Sequence, residues 1–193
     1  MPSLLTKPTT GVGPVVFDLE ANGLLNDATR IHCIALHWCK ENITESFNDE
    51  KYCKAPKELP MASGHSITTA LGLLETADTI IGHNIIGYDI PVIKRLYPWF
   101  NPTGTIVDTL ILSRLYSPNL LGVDKKRDEI PSKLFGRHSL EAYGYRLGEH
   151  KGDYGKDTDW SQWSQEMEDY CIQDVVVTTK LCEHFHHYLI GSN

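Results

Sequence analysis

Ten residues near the N-terminus constrain this chain more than any other stretch: Val15-Val16-Phe17-Asp18-Leu19-Glu20-Ala21-Asn22-Gly23-Leu24. The apolar run from Val15 to Phe17 reads as a buried strand, and the two carboxylates that follow sit at its carboxyl end. Side chains alternate along a strand, so Asp18 and Glu20 point to one side, a single pleat apart. Such a pair repels itself unless water solvates it or a cation lies between. Hard divalent cations suit carboxylate oxygens. The stretch is therefore either a solvated strand end or half of a metal site whose other ligands lie elsewhere in the chain.

At 193 residues the chain is the size of one domain and can bury a proper core. The Pro-, Thr- and Gly-rich residues 1–13 read as a loose leader, and 14–190 as one domain, since no repeat or linker supports a split. No apolar stretch approaches membrane-spanning length and no signal-peptide core precedes the first strand. Five cysteines without metal-finger spacing favour free thiols and a reducing compartment, with the cytoplasm as default. The net charge of -7 argues against a protein that coats nucleic acid electrostatically. The charge is uneven, however: nine bases against five acids lie between Lys94 and Arg146, which suits either a local grip on phosphates or a solvated loop.

Further strands are expected at Ile31–Trp38, Ile43–Phe47, Thr79–Gly82 and Thr105–Val107. Helices are expected over Ser66–Thr76 with Ser66 as cap, and over Ile90–Leu96 with Asp89 capping just ahead of Pro91. Others follow at Thr109–Tyr116 behind an Asp108 cap, at His138–Leu147, and at Ser164 to Leu189. Segments 52–64, 117–134 and 149–160 read as loops, the second basic and irregular. His184, His186 and His187 lack the spacing of a helical metal pair and read as solvated surface.

The late helix carries Tyr170 and Asp174 one above the other, with Asp174 beside an apolar stripe where a lone carboxylate is costly. Asp18, Glu20, Asp89 and Asp174 thus form an inventory suited to phosphodiester hydrolysis by paired cations. One cation lowers the pKa of a water, and a second, roughly 4 Å away, offsets charge on the leaving oxygen. The Tyr170 hydroxyl, a turn before Asp174, is placed to hold the attacking water.

Three motifs in order carry a resemblance: Asp18-Leu19-Glu20, Asn84-Ile85-Ile86-Gly87-Tyr88-Asp89 and Tyr170-Cys171-Ile172-Gln173-Asp174. They resemble the 3′–5′ proofreading exonuclease domains (four acids and a tyrosine, the DEDDy type) of family A DNA polymerases. FDLEANGL, DTLILSRL, FGRHSLEAYGYRLGEHKGDY and DYCIQDVVVT are most similar to the replicative polymerases of short-tailed phages, over nearly all the chain after the leader. The resemblance implies an α/β, RNase H-like (DnaQ-like exonuclease) fold: a mixed five-stranded sheet flanked by helices. It implies two divalent cations, Mg2+ or Mn2+, and release of 5′-mononucleotides from a single-stranded DNA 3′ end.

It also implies roles. Asp18 bridges both ions, Glu20 and Asp174 complete the hydrolytic site, and Asp89 holds the second ion partly through water. Glu20 and Tyr170 orient the nucleophilic water, Leu24 wedges against the terminal base, and Asn84 lines the strand's path. His138, Ser139 and Leu140 support the fold. A polymerase domain or subunit is an expected partner, and the host cytoplasm the location for a phage protein. The alternatives are an exoribonuclease on the same scaffold and a non-catalytic strand-binding or docking subunit of a split polymerase.

Overall fold

The computed structural model describes residues 12–50, 65–149 and 159–190. Five strands, β1 (Val12–Ala21), β2 (Ile31–Trp38), β3 (Ile43–Phe47), β4 (Ala77–Gly82) and β5 (Thr105–Asp108), form one sheet in the order β3-β2-β1-β4-β5. β1 pairs antiparallel with β2 and parallel with β4, so the sheet is mixed. β2 and β3 have the bounds expected from sequence, whereas β1 and β4 start earlier than expected. The first strand takes in residues 12 and 13, which the composition had assigned to the leader. The rest of the leader and most of the expected loops 52–64 and 149–160 lie outside the described residues.

Alternation along β1 divides the core. Val15, Phe17, Leu19 and Ala21 join a cluster that includes Ile67 and Leu71 of α1 (Ile67–Thr76) and Val92 and Ile93 of α2 (Asp89–Leu96). Val16 faces the other way and packs with Cys33, Ala35, Ile81, and Met167, Cys171 and Val175 of the last helix. Asp18 and Glu20 share the parity of Val16, and so emerge on the last helix's side of the sheet. Two more helices, α3 (Thr109–Tyr116) and α5 (Leu140–Leu147), pack beyond it through Tyr143, Leu140, Leu112 and Tyr116 against Val177, Leu181 and Phe185 of α6 (Gln165–Ile190).

Local capping follows the residue types. The Ser66 hydroxyl accepts from the Thr69 amide, and the Ser139 hydroxyl from the Ala142 amide, while Gly148 ends α5 at φ 71°. Asp108 caps α3 as expected, accepting from the Leu110 and Ile111 amides. Asp89 does not cap α2. It is that helix's first residue, and Tyr88 occupies the cap position without a side-chain bond. The reason is long-range: the Asp89 carboxyl is bound by the backbone amides of Asp89 itself and of Leu19 on β1.

The segment 117–134 is also not irregular throughout. It contains α4 (Leu120–Asp124) and a 3-10 turn at Ser132–Leu134. Asp124 is buried and forms a two-pronged pair with Arg146 at 2.9 and 2.7 Å, while also accepting from the Gly136 amide at 2.8 Å. One of the nine bases between Lys94 and Arg146 is thus used internally rather than on phosphate. Replacing Asp124 by Ala strands the buried Arg146 guanidinium and is expected to cost about 3–5 kcal/mol in chemical denaturation. Replacing both partners with apolar residues of similar volume is expected to cost far less.

Candidate active site

Asp18 and Glu20 stand half-buried at the carboxyl end of β1, each offering an oxygen to a group that also includes the Cys171 sulfur. These three ligand atoms lie within 4.8 Å of one another. The β1–β2 register shifts between Glu20 and Ala21, where Cys33 is opposite Glu20 but Ile31 is opposite Ala21. His32 is the extra residue of this bulge, buried, with its Nε2 3.0 Å from the Trp160 carbonyl oxygen. A bulge at this place bends the strand pair next to the acids. Cys171 is fully buried on α6 and donates its thiol to the Asp18 carbonyl at 3.4 Å. Burial, then the neighbouring Cys33 thiol and the two carboxylates, pushes that thiol well above its ordinary range.

Asp89 is only 4% exposed. Burial pushes its carboxyl up to about 7. The amides of Asp89 and Leu19 pull the other way, and the carboxylates of Asp108 and Asp174 add to the rise. Its bond to Leu19 fixes Asp89 against the backbone between Asp18 and Glu20, and Asp174, 7% exposed on α6, lies close enough to be felt. Tyr170 is half-buried one turn earlier on that helix. The structure thus gathers acids from β1, α2 and α6. The tightest group holds Asp18 and Glu20; Asp89 and Asp174 lie outside that 4.8 Å set. Carboxylates gathered near a buried carboxyl whose charged form is costly fit divalent cations, which offset that repulsion.

Tyr88 belongs to this region and was not singled out from sequence as a site residue. Its hydroxyl donates to the Gly23 carbonyl at 2.6 Å. Burial and the nearby Asp89, Glu20 and Asp18 carboxylates push its own ionisation up to about 12, so it remains a donor. The signal was its position, immediately before Asp89. By holding Gly23 it sets the turn that displays Leu24, whose side chain is 76% exposed.

Asn84 adopts the left-handed conformation, at φ 65°. Its amide donates to Asp108 at 3.0 Å, as does that of Ile86, so one carboxylate ties the 84–86 turn to the start of α3. The Asn84 side chain lies over Gly87, where an added Cβ would come within 2.6 Å of its Oδ1. Asn84 also lines a cavity of about 490 Å³ with His83, Arg114, Arg137 and His138. His138 and Ser139 serve the fold as expected: the former sits 2.5 Å from the Ser113 hydroxyl and the latter caps α5. His184 and His186 are exposed, as expected. Every described cysteine is free. No helix among the described residues is long and apolar enough to cross a membrane.

Comparison with known proteins places this geometry in a family. The RNase H superfamily model RNase_H_2 matches residues 15–186. The DNA-directed DNA polymerases of Enterobacteria phage T3 and Escherichia phage T7 are each 32% identical over an alignment covering 88% of this chain and 26% of the polymerase. The chain therefore spans about a quarter of these relatives' length. Among solved structures, Brucella melitensis NrnC with bound Mg2+ superposes with a TM-score of 0.56 at 19% identity, covering 98% of this chain and 78% of that one. Escherichia coli RNase D, an exoribonuclease, gives 0.53 at 13% identity over 91% of this chain and 39% of its own. At these identities the two structures speak for the fold alone. Together with the mixed five-stranded sheet, the matches show that the chain belongs to the RNase H superfamily, as an exonuclease-type domain related to phage DNA polymerases.

Proposed function

We propose that this chain is a divalent-cation-dependent 3′–5′ exonuclease that hydrolyses single-stranded DNA ends to 5′-mononucleotides, a proofreading activity. The observation that carries the reading is the pair Asp18 and Glu20 at the end of β1, with Asp89 bound to the Leu19 amide between them and Asp174 near enough to Asp89 to raise it. Two Mg2+ or Mn2+ ions, when bound, would supply an activated water and charge stabilisation of the leaving 3′ oxygen. Asp18, Glu20 and Asp174 would hold one ion, with Asp18 shared, and Asp89 the other. Glu20 and the Tyr170 hydroxyl orient the attacking water for in-line approach. Leu24, held out on its turn, packs against the terminal base.

The neighbouring cavity supports a single strand leading to this point. Arg114 and Arg137 offer two cationic side chains to backbone phosphates, and Asn84 and His138 offer polar atoms beside them. This local basic wall agrees with the sequence's uneven charge, and with modest affinity from a chain of net charge -7. A polymerase domain, in the same chain or as a partner subunit, would supply further grip, and for a phage protein the setting is the host cytoplasm. DNA is favoured over RNA because the 32% identical relatives are DNA-directed DNA polymerases. Matched 3′ ends of DNA and RNA, digested side by side with Mg2+, Mn2+ or a chelator, test the substrate. Faster loss of the RNA would shift the reading to an exoribonuclease, and no release from either to a docking module.

Asp18→Ala is expected to lower mononucleotide release by on the order of 10³-fold with an unchanged circular dichroism spectrum. Full activity in this variant would reject the site. Tyr170→Phe is expected to slow hydrolysis by about 10²-fold while divalent ions still raise its melting temperature. An unchanged rate would remove the water-positioning role.

Asp89 gives a pH dependence. Its folded-state value, raised from 3.8 to about 7, means that the native ion-free protein holds a proton which the unfolded chain releases. This contribution to stability is whole below about 3.8 and is lost as the pH climbs through about 7. Denaturation of chelated protein is expected to show that loss, and Asp89→Asn to flatten it. Added Mg2+ should restore stability at the upper end of the window and do little at the lower end.

A further inference from the structure

We propose that Arg95 is a positioning residue for the 3′-terminal base: from the last turn of α2 its guanidinium clamps the turn that displays Leu24, and so sets where that side chain stands relative to the acids. The proposal rests on the exonuclease reading above and adds to it a residue outside the acidic cleft. A lone exposed leucine is ordinary on a protein surface. Leu24 differs because its side chain is left in water while the backbone on both sides of it is held by side chains from a distant helix.

The loop from Asn22 to Arg30 is closed at its base and at its tip. At the base, the Asn22 amide donates to the Arg30 carbonyl at 3.1 Å. The Asn22 Oδ1 accepts from the Thr29 and Arg30 amides at 2.9 and 3.0 Å, and its Nδ2 donates to the Thr29 hydroxyl at 2.8 Å. At the tip, the Leu24 carbonyl accepts from the amides of Asp27 and Ala28 at 2.8 and 2.7 Å. Leu25 and Ala28 turn inward onto the core cluster of Phe17 and Ile93, which leaves Leu24 as the loop's apolar side chain facing water.

Those bonds set the loop's shape, and α2 sets its place on the protein. The Tyr88 hydroxyl donates to the Gly23 carbonyl at 2.6 Å and Arg95 Nη1 to the Leu25 carbonyl at 2.5 Å, one on each side of Leu24. Tyr88, at the cap position, and Arg95 are separated by close to two helical turns, so they lie on one side of α2. The same helix begins at Asp89, whose carboxyl is bound by the Leu19 amide between Asp18 and Glu20. One rigid element therefore ties the loop to the acids, and Leu24 is in place before a strand arrives. Of the two clamping side chains, Arg95 is the one that can be changed away from the acids, since Tyr88 adjoins Asp89.

The test uses two oligonucleotides of the polymer that the protein cleaves faster, one ending in an ordinary nucleotide and one in an abasic nucleotide. An abasic end offers Leu24 nothing to pack on. Arg95→Ala, checked for native circular dichroism, is expected to lower kcat/KM on the ordinary end about tenfold, chiefly through KM, and to leave the abasic end within about twofold. Arg95→Lys, which keeps the charge and a donor, should recover most of the loss. In a Leu24→Ala background, Arg95→Ala should cost nothing further on the ordinary end, because both residues act through one contact. Equal losses on the two ends, or losses that multiply in the double variant, overturn the proposal. Hydrogen exchange of the Asp27 and Ala28 amides reads the loop without any turnover and is expected to quicken in Arg95→Ala. Unchanged exchange there overturns the clamp, whereas quickened exchange in a protein that cleaves neither DNA nor RNA would uphold the clamp and reject the exonuclease reading.

Discussion

The parity of β1 is the constraint on which the rest depends. Its odd positions, Val15 to Ala21, are consumed by the core shared with α1 and α2, and its even positions turn toward α6. A slip of one residue would bury Asp18 and Glu20 in that core and turn Phe17 toward α6, a penalty large enough to make the register unambiguous. Because one strand serves both faces, the same apolar residues that stabilise the sheet also aim the two acids at the helix that carries Tyr170 and Asp174.

Asp89 shows how the site is assembled at a cost. A carboxyl with 4% exposure, close to other carboxylates, is held by two backbone amides, one of them from Leu19. That bond joins the start of α2 to β1, while burial and the neighbouring carboxylates keep the charged form costly. Asp108 does the opposite work: four backbone amides, from Asn84, Ile86, Leu110 and Ile111, satisfy its buried carboxylate and fix the turn ahead of Asp89. Two acids with similar burial therefore differ in kind, one saturated by the backbone and one left needing a counter-charge.

What could be read from sequence followed the range of the interaction. β2 and β3 were legible because alternating or continuous apolar runs ended at turn residues. Ser66, Asp108 and Ser139 were legible as caps or supports because their amide partners are two or three positions away. Asp89 looked like a cap by its spacing to Pro91, yet beside its own amide its partner is Leu19, on a strand far away in sequence. The 117–134 segment looked irregular because its ordering contact, Asp124 with Arg146, spans 22 residues. The four acids were found through order and spacing of motifs, whereas Tyr88 and Cys171 gained meaning only from the packing that brings them to the acids.

The proposed cation-binding bowl draws its carboxylates from three elements, β1, α2 and α6. Crystals soaked in Mn2+ and measured at the manganese absorption edge test it most directly. Anomalous peaks bounded by Asp18, Glu20, Asp89 and Asp174 are the expected result. Ordered manganese only elsewhere on the surface, with this cleft free of anomalous density, would contradict it.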